Sequence, residues 1–170
     1  SLSQQEQTRG KLGEAAMKKI LLAVDNTKGS EQAVKTVASW GKAFQPESVV
    51  LLNIQQLYGH SLVGEGLESE QDIEETSEAL QGSERMEQFN AASDKILTYF
   101  TGLLNQAGYS NIKSIIKQGH PAEQILETAN DEGVELIVLG SRGGRLHNLL
   151  LGSVSREVSN TANMSVLVAR

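Results

Sequence analysis

The chain has 170 residues, enough for one domain with a sizeable core, and only 4 % of them are aromatic, so that core must be mostly aliphatic. The absence of cysteine excludes disulfides and thiolate metal sites, and no apolar run approaches the roughly 20 residues of a membrane-spanning helix. A net charge of −6 argues against general nucleic-acid binding, and the N-terminal residues lack an apolar signal core. We therefore expect a soluble, cytoplasmic protein with no nucleic-acid or membrane partner.

The negative charge is concentrated in one segment. Residues 65–87 contain nine acidic side chains and one base, Arg85, so this segment carries −8 and the rest of the chain about +2. Overall acidity is therefore compatible with a phosphate site elsewhere. We interpret residues 56–83 as an acidic insertion loop with a short helix near 73–80, exposed to solvent; a lid or a partner surface is the alternative.

Residues 1–16 are polar and show no periodicity, whereas an apolar run begins just after Met17. We interpret 1–16 as a tag or a flexible arm and 17–170 as a single domain.

Alternating apolar patterns predict the elements of this domain. Short apolar runs predict strands at 19–24, 48–54, 111–117, 134–139 and 165–169, the third near an edge because lysines interrupt it. Helical spacing predicts a helix capped by Ser30 and closed by Pro46, a long helix over 84–107, one from Pro121 to Gly133, and one starting near Val154 with Ser153 as its cap. The alternation predicts an α/β fold, an open doubly wound five-stranded parallel sheet with helices on both faces.

The segment 136–155 links a buried strand to a helix start through a glycine-rich loop. Three glycines in Gly140-Ser141-Arg142-Gly143-Gly144 allow a tight turn and close approach of a ligand. Gly152-Ser153 then stands at a helix N-terminus, where free N–H groups and the helix dipole favour an anion. The segment has neither the P-loop nor the dinucleotide-binding spacing, but the combination favours phosphate binding over an ordinary connecting loop. Arg142 and Arg145 add positive charge, and His147 fits a phosphate contact and a solvent position equally well.

Asp25 ends the first strand, at the same edge of the predicted sheet as the glycine loop. It fits two roles equally well, a ligand contact to a ribose, base or metal, and the capping of the next turn. The sequence has no nucleophile elbow, no HExxH motif and no paired-carboxylate signature, so it predicts no catalytic residues.

Four segments of the chain also resemble a known family. KKILLAVDNTKGSEQAV, SVVLLNI, QGHPAEQIL and DEGVELIVLGSRGGRLHNLLLGSVSREVSNTANMSVLVAR resemble the universal stress protein (UspA) family of the adenine-nucleotide α-hydrolase-like superfamily, in its ATP-binding branch. The combination of GSRG, LLGSVS and the closing VLV is specific, although each piece alone is not. The resemblance implies a Rossmann-like fold and a dimeric nucleotide-sensing protein of the stress response. Its ligand would be ATP, or ADP or AMP, with Mg²⁺ or Mn²⁺ entering through the phosphates.

The resemblance further implies which residues bind. Its base and ribose contacts fall on Ala23, Val24, Asp25, Ile54 and Leu139, with Asp25 on the ribose side. Its phosphate contacts fall on Gly140, Ser141, Arg142, Gly143, Gly152, Ser153, Val154 and Ser155. The family commonly forms homodimers by pairing the last strand, here 165–169, which covers an otherwise exposed apolar edge.

One departure from the family motif leaves alternatives open. Eight residues, 144–151, separate Gly143 from Gly152, where the motif of the family has nine. A tighter loop or a reshaped phosphate end favours AMP, ADP or an empty site more than a full match would. The alternatives are a dimeric interaction module without nucleotide, and a slow ATPase or autophosphorylating protein modified at Ser141, Ser153 or Ser155. The absence of a general base counts against the last. The sequence names neither the signal nor the protein partner.

Overall fold

The computed structural model describes residues 17–42, 44–55, 84–141 and 152–170. Several expectations concern residues outside this description: the arm 1–16, the acidic segment 56–83 with its short helix, and the loop residues Arg142, Gly143, Arg145 and His147.

The described residues form five strands that alternate with four helices. Their bounds are β1 (Lys19–Ala23), α1 (Lys28–Ala38), β2 (Ser48–Gln55), α2 (Glu84–Gln106), β3 (Ile112–Gln118), α3 (Pro121–Glu132), β4 (Leu136–Gly140), α4 (Ser153–Thr161) and β5 (Ser165–Ala169). All neighbouring strands are parallel, in the order β3-β2-β1-β4-β5. The predicted doubly wound fold is confirmed. After β3 the chain returns to the middle of the sheet, and β4 and β5 are added on the other side of β1.

The sheet is buried on both faces because consecutive residues of its central strands are both apolar. On one face Ile20, Leu22 and Leu51 pack with α1 and α2, and on the other Leu21, Val50 and Leu52 pack with α3 and α4; all six are fully buried. The edge strand β3 carries the exposed Lys113, as the lysine pattern predicted. None of the described helices combines the length with the apolar character that crossing a bilayer requires.

Two helix starts differ from the prediction. The N-cap of α1 is Thr27, whose side chain accepts from the Ser30 N–H, while Ser30 lies in the first turn and turns its hydroxyl to Asp25. The N-cap of α4 is Gly152, and Ser153 is the first helical residue. The Ser30 hydroxyl bonds to Asp25, five residues before it, and the Gly152 N–H donates to the Ser141 carbonyl at the end of β4.

Two element ends also differ. α1 ends at Ala38, so Phe44 lies beyond it and is 74 % exposed. β4 begins at Leu136, because the Val134 N–H donates back to Ala129 and closes α3. Gly133, predicted to end α3, caps it in the left-handed conformation with φ 65°, where a side chain would be strained.

Candidate functional site

A cavity of about 220 Å³ opens at the C-terminal edge of the sheet, on the face that α3 and α4 cover. It lies where β1 and β4 diverge, the position at which open parallel sheets bind ligands. The start of α1, the end of β2 and the start of α4 complete its walls. The lining residues are Ala23, Val24, Asp25, Thr27, Gly29, Ser30, Leu52, Ile54, Pro121, Ile125, Leu139, Gly140, Ser141, Gly152, Ser153, Val154 and Ser155.

The cavity brings together eleven of the thirteen residues that the sequence singled out, and the other two, Arg142 and Gly143, lie outside the described residues. Six lining residues were missed. Leu52 could have been found two residues before Ile54 on the same strand face, and Pro121 because it follows β3 at the same edge. Ile125 lies one helical turn after Pro121. Thr27, Gly29 and Ser30 form the N-cap and first turn of α1, which lies against the same cavity.

Asp25 caps the turn that follows β1. Its Oδ1 accepts from the Thr27 N–H at 2.9 Å, from the Thr27 hydroxyl and from the Ser30 hydroxyl at 2.7 Å. The Asp25 N–H in turn donates to the Ser30 hydroxyl at 2.8 Å. The capping role is therefore present in the structure. The second carboxylate oxygen, Oδ2, makes no hydrogen bond with the described residues, so capping leaves it open to a ligand.

The start of α4 is tied to the end of β4 by two hydrogen bonds. The Gly152 N–H donates to the Ser141 carbonyl at 3.0 Å, and the buried Ser155 hydroxyl donates to the Gly140 carbonyl at 3.0 Å. The ends of the glycine motif therefore meet although its middle is one residue short. Because the Ser155 hydroxyl donates its proton to Gly140, the main-chain N–H is the donor of that residue that remains for a ligand.

The first turn of α4 presents free donors to the cavity. The Arg156 N–H makes the first hydrogen bond of the helix, to the Gly152 carbonyl at 3.0 Å. The N–H groups of Ser153, Val154 and Ser155 precede it and have no acceptor among the described residues. The N-cap offers no side-chain bond and the first turn holds no acid, so nothing in that turn compensates the positive end of the helix dipole. This arrangement suits an anion.

The main chain of Ile54 also points to the cavity. In a parallel ladder, alternate residues of a strand bond to opposite neighbours. In β2, the Val49 N–H donates to Asn111 beside β3. The Ser48 N–H and the Leu52 carbonyl instead bond to Lys18 and Val24, which flank β1. Ile54, like Ser48 and Leu52, directs its main-chain groups to the β1 side of β2, but β1 has already ended at this level. The Ile54 N–H and carbonyl make no main-chain hydrogen bond with the described residues and face the cavity that Ile54 lines.

Within the part of the chain that the structure describes, no three His, Asp or Glu side chains are grouped to hold a metal ion. Protein ligands for a divalent cation would have to be complemented by oxygens of a bound ligand, as phosphates do for Mg²⁺.

Comparison with known proteins identifies the chain. The sequence model of the Universal stress protein family matches residues 17–170. The universal stress protein MJ0577 of Methanocaldococcus jannaschii is 32 % identical over 162 residues, which cover 90 % of this chain and 94 % of the relative. Its solved structure superposes with a TM-score of 0.66 at 30 % identity, covering 91 % of this chain and 96 % of that one.

Two more distant solved structures share the fold and contain nucleotides. A universal stress protein family protein of Arabidopsis thaliana with AMP bound has a TM-score of 0.59 at 18 % identity, covering 89 % of this chain and 90 % of that chain. The universal stress protein of Archaeoglobus fulgidus in complex with dAMP has a TM-score of 0.55 at 18 % identity, covering 91 % and 98 %. With a family match over nearly the whole chain and a 32 % identical relative, the chain belongs to the universal stress protein family.

Proposed function

We propose that this protein is an adenine-nucleotide-binding regulatory protein that changes its state or its protein partner with nucleotide occupancy. One observation carries the proposal. The free N–H groups at the start of α4 and the open main-chain groups of Ile54 line the same cavity, so a phosphate and a base have complementary sites at its two ends.

The phosphate end is formed by the first turn of α4. Three adjacent N–H donors, with an uncompensated helix dipole behind them, favour a negatively charged group. The two hydrogen bonds that fix α4 to the end of β4 hold these donors in place before a ligand arrives. Such preorganisation lowers the entropic cost of binding.

The base end has apolar walls and a polar edge. Leu52, Ile125 and Leu139 are buried side chains that can cover the faces of a purine, and the Ile54 main chain offers one donor and one acceptor. Between the two ends, the Asp25 Oδ2 can accept a hydrogen bond from a ribose hydroxyl. The AMP and dAMP complexes of the two structures with the same fold support an adenine nucleotide as the occupant.

We extend the proposal to the metal and to the number of phosphates. The described residues supply no metal cluster of their own, so Mg²⁺ or Mn²⁺ would enter with ADP or ATP through phosphate oxygens. The motif has eight residues between Gly143 and Gly152, but both of its ends meet at the cavity. We therefore propose that the monophosphate AMP and the α-phosphate of ADP and ATP use the α4 donors alike.

We further propose that the protein forms a homodimer through β5. The Ala169 carbonyl accepts from the Ser141 N–H on the β4 side, so by alternation Val166 and Val168 direct their N–H and carbonyl groups to the open edge of the sheet. The side chains of Val166, Leu167 and Val168 are only partly buried. A second β5 pairing across a two-fold axis would satisfy this edge and cover its apolar surface.

Calorimetric titration tests the nucleotide proposal. Purified protein is titrated with AMP, ADP and ATP with Mg²⁺, and with adenosine and ribose 5-phosphate as the two halves of the ligand. We expect saturable heat for the nucleotides and weaker binding of each half. An absence of both heat and thermal shift at millimolar nucleotide would refute nucleotide binding and favour an interaction module of the same fold. Mass analysis after incubation with Mg²⁺-ATP reports any autophosphorylation.

A further inference from the structure

Asn53 is a buried polar residue directly behind the candidate site. It is 4 % exposed and is the third residue from the end of β2, next to Ile54. Since Val49 and Leu51 of the same strand pack in the cluster that α1 and α2 cover, Asn53 lies on that face. The cavity is on the other face and Asn53 does not line it. Any effect of Asn53 on a ligand must therefore pass through another residue.

The neighbouring ladder shows what that residue is. The Val24 N–H, just after β1, donates to the Leu52 carbonyl at 2.8 Å. This is the last rung, that is, the last main-chain hydrogen bond, between this part of the chain and β2. In a regular parallel ladder the next rung joins the Ile54 N–H to the Val24 carbonyl. That rung is absent from the described residues. The Val24 carbonyl instead accepts from Asn53 Nδ2 at 2.8 Å.

Asn53 thus replaces a main-chain donor with a side-chain donor. A buried carbonyl that loses its partner costs about 1–3 kcal/mol, so Val24 requires one donor. Since the Asn53 amide fills this requirement from behind the sheet, the Ile54 N–H remains unpaired at the cavity. If Asn53 lacked a donor, the Ile54 N–H would be the nearest group able to replace it, and the ladder would extend by one rung.

We propose that Asn53 is a positioning residue that keeps the Ile54 main chain open for the base and so sets the preference for adenine. This inference rests on the proposed nucleotide function. An N–H and a carbonyl side by side match the adenine edge, where N1 accepts and the N6 amino group donates. Guanine presents the reverse pattern, a carbonyl O6 and an N1–H donor, and leaves both Ile54 groups opposed by like groups. Sites that read hydrogen bonds in this way discriminate strongly.

The hydrogen-exchange rate of the Ile54 N–H shows, without any nucleotide, whether this group is hydrogen-bonded. In Asn53→Val, a β-branched apolar residue suits the strand but cannot donate to Val24. We expect the Ile54 N–H to exchange at least about tenfold more slowly in this variant than in the wild type, since it now bonds to Val24. Asn53→Leu serves as a second variant if Asn53→Val folds poorly. Ser93→Ala removes another buried polar contact, to Gln55 Nε2 at 3.1 Å, and should leave Ile54 exchange unchanged.

Base discrimination is the second measurement. We expect the wild type to bind AMP at least about tenfold more tightly than GMP, and the Asn53 variants to lose most of this ratio while ribose 5-phosphate affinity stays constant. An equal loss for AMP and GMP, or an unchanged Ile54 exchange rate, would overturn the positioning role. If the wild type binds no nucleotide, the proposed function fails, and the role in base selection fails with it. The exchange result still decides whether Asn53 prevents the hydrogen bond between the Ile54 N–H and the Val24 carbonyl.

Discussion

The backbone of Gly140 at the end of β4 lies against the backbone of Gly29 in the first turn of α1. A Cβ built on Gly140 would overlap the Gly29 carbonyl group and lie 2.7 Å from the Gly29 Cα. The sequence predicted that glycines in this loop allow a ligand to approach. At Gly140 the close neighbour is another part of the protein, and the contact joins two of the cavity walls.

Substitution of Gly140 should therefore destabilise the fold itself. We expect Gly140→Ala to lower the free energy of unfolding by about 1–3 kcal/mol or more, because a backbone contact cannot move aside as a side chain can. Urea denaturation measures this. The matched control is Gly102→Ala in α2, where a Cβ meets nothing within 4 Å and alanine should stabilise the helix by about 0.5–1 kcal/mol. Equal stability of the two variants would contradict the contact. Loss of nucleotide binding in a Gly140 variant would accordingly not identify a ligand contact.

A negative charge at the start of α4 should have opposite effects on stability and on binding. In Ser153→Asp, the exposed carboxylate should stabilise the helix by about 0.3–1 kcal/mol through its dipole. The same charge should weaken AMP binding about fivefold or more, since like charges about 4 Å apart repel by about 1 kcal/mol even in water, and ATP binding further. Adenosine affinity should not change.

The control for this charge is Ser110→Asp, an exposed position just before β3, at the opposite edge of the sheet. It should leave all nucleotide affinities as in the wild type. Calorimetry measures the affinities and thermal denaturation the stability. A stabilised Ser153→Asp protein with full ATP affinity would show that the phosphates bind elsewhere.

Proline substitutions distinguish the two sides of β5. Val168 directs its N–H to the open edge, so Val168→Pro should remove a dimer hydrogen bond while the protomer stays folded. Leu167 directs its N–H to β4, so Leu167→Pro should remove a hydrogen bond between β5 and β4 and destabilise the protomer by about 1–3 kcal/mol. Sedimentation equilibrium and urea denaturation give the two readouts. A wild type that is monomeric at all concentrations, or a dimeric Val168→Pro, would contradict the β5 interface.

Tyr109 should make stability depend on pH in the alkaline range. Its hydroxyl donates to the Val37 carbonyl at 2.7 Å, and burial raises the pKa of the phenol to about 12. The unfolded chain releases this proton near pH 10 and the folded protein only near 12, so the stabilisation is complete below about pH 10 and declines as the pH rises to about 12.

Tyr109→Phe isolates this effect. At neutral pH we expect it to be about 0.5–1.5 kcal/mol less stable, because the hydrogen bond to the Val37 carbonyl is lost while the Trp40 N–H, at 3.1 Å, still donates to that carbonyl. The difference from the wild type should shrink between about pH 10 and 12, since only the wild type loses the contribution of this phenol there. All other side chains are common to both proteins, so their contributions cancel in the comparison. Urea denaturation curves that stay equally far apart across this range would show that the phenol does not titrate with folding.

Sequence alone determined the fold class, the family and most of the cavity lining. The fold class rests on local chemistry, because consecutive apolar residues require a strand covered on both faces and Gly133 ends a helix. The glycine-rich loop predicted a phosphate site, whereas the family and the base and ribose contacts came from the resemblance. The expectation that the ligand contains adenine also came from the resemblance, because the spacing of residues does not specify a base.

The tertiary structure decided how the site is built, because its contacts join residues distant in the chain. Gly140 meets Gly29 across more than a hundred residues, and Asn53 reaches the Val24 carbonyl from a neighbouring strand. The sequence left Asp25 between a capping and a ligand role, and the structure shows the capping bonds made by one oxygen. Ser30 and Ser153 looked like helix caps in sequence. Thr27 and Gly152 cap instead: the Ser30 hydroxyl bonds to Asp25, five residues before it, and the Gly152 N–H bonds to Ser141 at the end of β4.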